Sequence, residues 1–117
     1  MKNMIRIANA GGFWGDDLSA FRRQLEGGPL DYISIDYLAE LTMSILKKKQ
    51  LKDPKGGYVP DFVDAIVDNA ELIREKKIKI LTNAGGMNPY ECGREIKAKL
   101  QEKGVSLKIG IVEGDNV

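Results

Sequence analysis

Two glycine turns and a few carboxylates carry whatever chemistry this chain can perform. Residues 82–91 read Thr-Asn-Ala-Gly-Gly-Met-Asn-Pro-Tyr-Glu and follow an apolar run at 78–81. Glycines there let backbone N–H groups face a ligand with no Cβ in the way. Gly85, Gly86 and Asn88 are therefore candidates for holding a phosphate or carboxylate, or the glycines only shape the turn. A second turn, Gly11-Gly12-Phe13-Trp14-Gly15-Asp16, follows the first apolar run. Phe13 and Trp14 suit the apolar wall of a pocket or an interface. Covering the sheet edge is an equal reading.

Acids gather near the same places. Asp36, Glu40, Glu113 and Asp115 lie at or just after predicted strand ends. Glu40 stands one helical turn after Asp36, which would let the two face one spot. Convergent acids bind a Mg²⁺-type cation or divide into an acid and a base. Asp16, Asp36, Glu40 and Glu113 are the candidate catalytic residues, and no metal-ligand set is assigned. Taken singly, Asp16, Asp17 and Asp36 read first as helix caps. Asn83 and Asn116 end apolar runs and could donate to a carbonyl or carboxylate, or bond within their loops. Ala10-x-Gly12-x-x-Gly15 has the spacing of a dinucleotide fingerprint without its first glycine, and Asp36 sits where a ribose-binding acid would. Phe13 and Trp14 would obstruct the pyrophosphate, so nucleotide binding ranks behind the other readings.

These residues need elements to position them. Residues 4–8 read as a strand, followed by a helix from Asp16 or Asp17 with Leu18, Phe21 and Leu25 on one face. Gly27-Gly28-Pro29 ends it. Residues 31–36 form a second strand. The next helix carries Leu38, Leu41 and Ile45, widened by Ala39, Thr42 and Leu46, which predicts heavy burial. Residues 51–59 are the clearest loop, a connector or a lid. One helix from Pro60 or Asp61 carries Phe62, Ile66, Ala70 and Ile73. After the strand at 78–81, Asn88 caps a helix that has Pro89 in its first turn and ends at Gly104. Cys92, in the apolar stripe of that helix, reads as core. Val105, Leu107, Ile109 and Ile111 alternate as a fourth strand.

This order predicts an α/β fold. Four parallel strands form the middle of three layers, in the order 2-1-3-4, with helices on both faces. Both glycine turns would then flank a crevice between strands one and three. The alternative is the sequential order 1-2-3-4, as in half of a barrel. Residues 1–117 make a single domain, expected to be the N-terminal part of a larger one.

Composition narrows the partners. Eighteen Lys and Arg against 17 Asp and Glu leave a net charge of +1, which gives no case for nucleic acid or an anionic membrane. Histidine is absent, which removes His-based triads and the usual neutral-pH proton carrier. One cysteine cannot form an internal disulfide, and no membrane span is visible, so a cytoplasmic setting is expected.

Several blocks carry a family resemblance. They are Gly11-Gly12-Phe13-Trp14-Gly15-Asp16, the run from Asp36 to Ser44, Lys52-Asp53-Pro54, Gly57-Tyr58, the run from Asn83 to Pro89, and the residues from Val112 to Asp115. In order and together they resemble the N-terminal domain of the acyclic terpene utilisation (AtuA-like) family. The resemblance implies a role in the breakdown of branched acyclic terpenoids such as citronellol and geraniol, which proceeds through acyl-CoA thioesters. It assigns no reaction and no catalytic residues; our first hypothesis from the residues is an enzyme domain acting on an anionic or acyl-CoA ligand by hydration or dehydration. The alternative is a non-catalytic subunit or scaffold that binds a pathway enzyme. The rest of the domain, another subunit or a second copy would then be the partner.

Overall fold

The computed structural model describes residues 4–113. Asp115 and Asn116 lie outside them. The element order is β1 (Ile7–Gly11), α1 (Ala20–Glu26), β2 (Tyr32–Ile35), α2 (Glu40–Lys52), α3 (Pro60–Asp68), α4 (Ala70–Lys76), β3 (Lys79–Thr82) and α5 (Pro89–Lys103).

The strands are parallel, as expected, but their order is β1-β2-β3, with β2 in the centre. Ile33 pairs with Ala8 on one side and with Ile80 on the other. This corrects the 2-1-3-4 order and agrees with the sequential alternative over three strands. The reason lies in the side-chain alternation. Residues in register across a parallel pair share a face. Ile7, Tyr32 and Lys79 are in register, and so are Asn9, Ser34 and Leu81. The Lys79 ammonium lies 5.7 Å from the Tyr32 ring centre, which confirms the shared face. That face is open: Ile7 is 67% exposed and Leu81 58%. A strand covered on both faces would read as a continuous apolar run. Here Asn9, Ser34 and Lys79 interrupt it, so helices pack on one face only, not on both.

The covered face is closed by Ala10, Ile33 and Ile35. They form one cluster with Phe21 and Leu25 of α1, Phe62, Val63 and Ile66 of α3, Ile73 of α4, and Cys92, Ile96 and Leu100 of α5. Burial of this kind contributes about 25 cal/mol per Å² of apolar surface. Helix α2 is the exception. Only Leu46 of it is buried, while Leu41 is 72% exposed, so its wide apolar stripe does not report heavy burial.

Three further expectations change. The first helix starts at Ala20, because Asp16 and Asp17 are occupied with turns before it and Leu18 is exposed. The helix expected from residue 60 breaks at Asn69, whose side-chain amide donates to the Ala65 carbonyl at 2.8 Å. Such bonds compete with helix continuation. Residues 105–113 form no strand among the described residues. Gly104 takes φ 76° and the Val105 amide returns to the Leu100 carbonyl, a left-handed helix stop. Ile109 and Ile111 then lie against Gly93 of α5, which has no side chain to hold them off.

Candidate functional site

The β2 strand separates the two glycine turns, so no crevice joins them directly. What links them is the segment after β2. The Asp36 amide donates to the Gly11 carbonyl (3.1 Å) and the Trp14 amide to the Tyr37 carbonyl (3.1 Å). On the other side, Asn83 holds the same segment by two bonds. Its oxygen accepts from the Tyr37 amide at 2.9 Å, and its Nδ2 donates to Asp36 Oδ1 at 2.7 Å. Asp36 and Asn83 therefore stand together at the carboxyl end of the sheet, where open α/β sheets place their ligands. The Leu38 amide adds a second bond to Asp36 Oδ1 (3.1 Å). These two donors, Asn83 first, lower the Asp36 pKa below its ordinary 3.8, against a small opposing effect of burial. Asp36 is exposed, and its Oδ2 has no hydrogen bond among the described residues.

Glu40 is not brought to Asp36 by helical spacing. It is the first residue of α2, and Ala39 before it is extended, so the segment from Asp36 is not a helical turn. Glu40 and Glu113 are both exposed.

The turn from Gly11 to Asp16 is occupied by its own acid. Asp16 Oδ2 accepts from the Gly12 amide at 3.0 Å, Asp16 Oδ1 accepts from the Asp17 amide at 2.8 Å, and Asn9 accepts from the Gly11 amide. A carboxylate stands where a pyrophosphate would sit in a dinucleotide fold, and this argues against that ligand. Trp14 is tied in three ways. Its amide bonds Tyr37, its indole N–H donates to Asp61 Oδ2 (3.2 Å), and the Lys49 ammonium lies 4.8 Å over its ring. Phe13 stays 57% exposed.

The turn at Gly85-Gly86 is likewise closed on the protein itself. The amides of Gly86, Met87 and Asn88 donate to the carbonyls of Asn83, Gly57 and Gly85. Asn88 does cap α5, accepting from the Glu91 amide, and its Nδ2 reaches the carbonyls of Pro54 and Gly56. Gly86 has φ +55°, and a Cβ there would stand 2.5 Å from Leu46 and 2.9 Å from the Gly57 carbonyl. The close approaches that demand glycine are to Leu46 of α2 and to the Gly57 carbonyl of the 53–59 loop, and that loop acts as a sewn connector.

A cleft of about 220 Å³ lies beside the Gly11–Asp16 turn, between it and α3. Asp61, Asp64 and Asp68 of α3 line it together with Asp16, Asp17 and Tyr37. The three α3 acids are spaced three and four, which places them on one helix face. That signal was available in the sequence; the role of Tyr37 was not. Tyr37 is buried, stacks edge-on against Phe62 and has its pKa raised to about 12, by burial first and then by Asp61 and Cys92. Among the described residues, no three acidic or cysteine side chains are gathered closely enough to hold a metal ion. No helix there is long and apolar enough to cross a membrane.

Residues 5–117 match the family described as acyclic terpene utilisation family protein AtuA, and the chain belongs to that family. No curated protein and no solved structure matches it.

Proposed function

We propose that this member of the acyclic terpene utilisation family acts on a branched acyl-CoA thioester or carboxylate by adding or removing water, with Asp36 as the proton carrier. The observation that carries the reading is the Asp36–Asn83 pair. It fixes one carboxylate oxygen and leaves the other bare at the carboxyl end of the central strand. The Asp36 carboxylate is ionised at neutral pH, so it starts as a base, and its lowered pKa makes it a weaker base than an ordinary aspartate. In hydration of an α,β-unsaturated thioester, Asp36 takes a proton from water, the hydroxyl adds to the β carbon, the α carbon takes a proton from a second acid, and Asp36 passes its own proton back to that acid through solvent. The reverse sequence removes water. Asn83 is the positioning residue. Glu40 and Glu113 are the remaining candidates for the acid. The Asp16 carboxylate serves its own turn, and Gly85, Gly86 and Asn88 serve the fold before any anion.

The test is turnover of branched enoyl-CoA by the intact protein, followed by loss of the conjugated thioester absorbance. Asp36→Asn is expected to lower kcat by about 10²-fold or more, as removal of a proton carrier does, while the fold survives. Unchanged turnover by Asp36→Asn overturns the reading.

The open sheet face favours a second reading. Ile7 and Leu81 stand exposed on it, and Phe13 is exposed on the adjoining turn. Such patches mark interaction surfaces, which suits a non-catalytic subunit binding another protein. A stable complex that persists in Asp36→Asn and is lost in Leu81→Asp would support that role.

A further inference from the structure

We propose that the Thr82 hydroxyl is the positioning group of the Asp36–Asn83 pair: it bonds the peptide units next to both residues and so fixes the spacing of their side chains. The catalytic consequence rests on the reading of Asp36 as the proton carrier. The geometric role of Thr82 does not.

Thr82 is the last residue of β3, and Ile35, its partner in register, is the last of β2. The strand pairing stops there, and the hydroxyl continues the connection between the two chain segments. It donates to the Ile35 carbonyl at 2.9 Å and accepts from the Ala84 amide at 3.1 Å. The Ile35 carbonyl shares one planar peptide unit with the Asp36 amide, and the Ala84 amide shares one with the Asn83 carbonyl. A single oxygen therefore bonds the unit that enters Asp36 and the unit that leaves Asn83. Each unit is also held from its far side. The Asp36 amide donates to the Gly11 carbonyl at 3.1 Å, and the Asn83 carbonyl accepts from the Gly86 amide at 3.0 Å.

The pair needs that precision. The Asn83 side chain is committed at both ends, to Asp36 Oδ1 at 2.7 Å and to the Tyr37 amide at 2.9 Å. Such bonds weaken steeply once length or angle departs from the optimum. If the ends of β2 and β3 slid past one another, Asn83 would lose one partner in keeping the other. The bridge through Thr82 opposes that slide at the residue before Asn83 and the residue before Asp36.

The charge of Asp36 reports on this geometry. Its lowered pKa comes from the Asn83 amide first and the Leu38 amide second, against burial, and no charged group is among the causes. Thr82 is not among them either, and a change there brings no charge. A substitution at Thr82 therefore reaches the Asp36 carboxyl only by moving Asn83 or the segment after β2. Valine matches threonine in shape and suits a strand equally well, so Thr82→Val removes the bridge and little else.

The experiment compares Thr82→Val, Thr82→Ala and Thr82→Ser in the intact protein. The ¹³C shift of the Asp36 carboxyl is followed against pH, and turnover of branched enoyl-CoA is measured alongside. In Thr82→Val and Thr82→Ala the Asp36 midpoint is expected to rise toward 3.8. Thr82→Ser, which restores the hydroxyl, is expected to bring the midpoint back toward the parent value. In the two variants without a hydroxyl, kcat is expected to fall about tenfold or more with KM changed by no more than about twofold, the pattern of a displaced reacting group. A merely structural Thr82 would lower the melting temperature in Thr82→Val and leave the Asp36 midpoint where it was, and that result overturns the proposal. A Thr82→Ser that titrates like Thr82→Val overturns it too. If the parent protein turns over no enoyl-CoA, the proton-carrier reading falls, and the titration still decides the role of Thr82.

Discussion

Asn83 donates from its side-chain amide to Asp36 across the ends of two neighbouring strands, at 2.7 Å, although the residues are 47 apart in sequence. Its oxygen meanwhile accepts the Tyr37 amide. One side chain thus makes the largest contribution to lowering the Asp36 pKa and also fixes the path of the chain behind it. The pair has a pH signature. The folded-state pKa of Asp36 lies below 3.8, so the stability linked to it is fully present above about pH 4 and is lost as pH falls through the folded value. In Asn83→Ala the Asp36 carboxyl should titrate closer to 3.8, read from its ¹³C shift. The variant should also lose about 1–2 kcal/mol at neutral pH for two hydrogen bonds, with less further loss on acidification than the parent shows. An unchanged Asp36 midpoint would show that the Leu38 amide alone holds the charge.

The two glycine turns should respond unequally to the same change. A Cβ at Gly86 meets Leu46 and the Gly57 carbonyl at φ +55°, whereas one at Gly12 meets nothing within 4 Å. Left-handed strain and overpacking each cost about 1–3 kcal/mol. Gly86→Ala is therefore expected to lower stability by roughly 2–4 kcal/mol, and Gly12→Ala by no more than about 0.5 kcal/mol. Urea unfolding of the two variants decides it. A benign Gly86→Ala would mean that the 53–59 loop yields readily.

Local and long-range features were not equally legible before the structure. Helix α5 was: the Asn88 cap, Pro89 and the Gly104 stop act over a few residues and appear where their chemistry puts them. Parallel α/β architecture followed from strands alternating with helices. Strand order did not, because both orders satisfy the same short connections. The polar residues Asn9, Ser34 and Lys79 held the missing information, since they mark one face of the sheet as open. The Val105–Ile111 alternation misled because Gly93 gives those side chains a place on a helix. At the candidate site, Asp36 and Asn83 were each readable as polar strand ends. Their contact depends on register and packing that no local spacing encodes.

Cys92 should be chemically silent in the folded protein. It lies in the core stripe of α5, 5% exposed, and burial pushes its thiol up to about 11. The thiolate is the reactive species. Labelling with a disulfide reagent at pH 8 should therefore be slow in native buffer and immediate in denaturant, with the native rate tracking unfolding. Rapid native labelling would place the thiol at a surface and open Cys92 to a nucleophilic role.

Asn88 is expected to matter twice, once for α5 and once for the loop at 53–59. Its oxygen caps the Glu91 amide, and its Nδ2 holds the carbonyls of Pro54 and Gly56. Removing a cap costs about 1 kcal/mol, and the two loop bonds add about 0.5–1.5 kcal/mol each. Asn88→Ser keeps a capping oxygen and loses the loop bonds, whereas Asn88→Ala loses both. The loop retains the Met87-to-Gly57 and Val59-to-Ala84 bonds in either variant, so it should loosen at its tip and stay anchored at its base. Limited trypsin digestion reads this directly, because Lys55 sits at that tip. Cleavage after Lys55 should speed up to a similar degree in both variants, while only Asn88→Ala should show the additional drop in melting temperature. If Asn88→Ser digests like the parent, the side-chain bonds to Pro54 and Gly56 do not restrain the loop, and the backbone bonds at its base hold it alone.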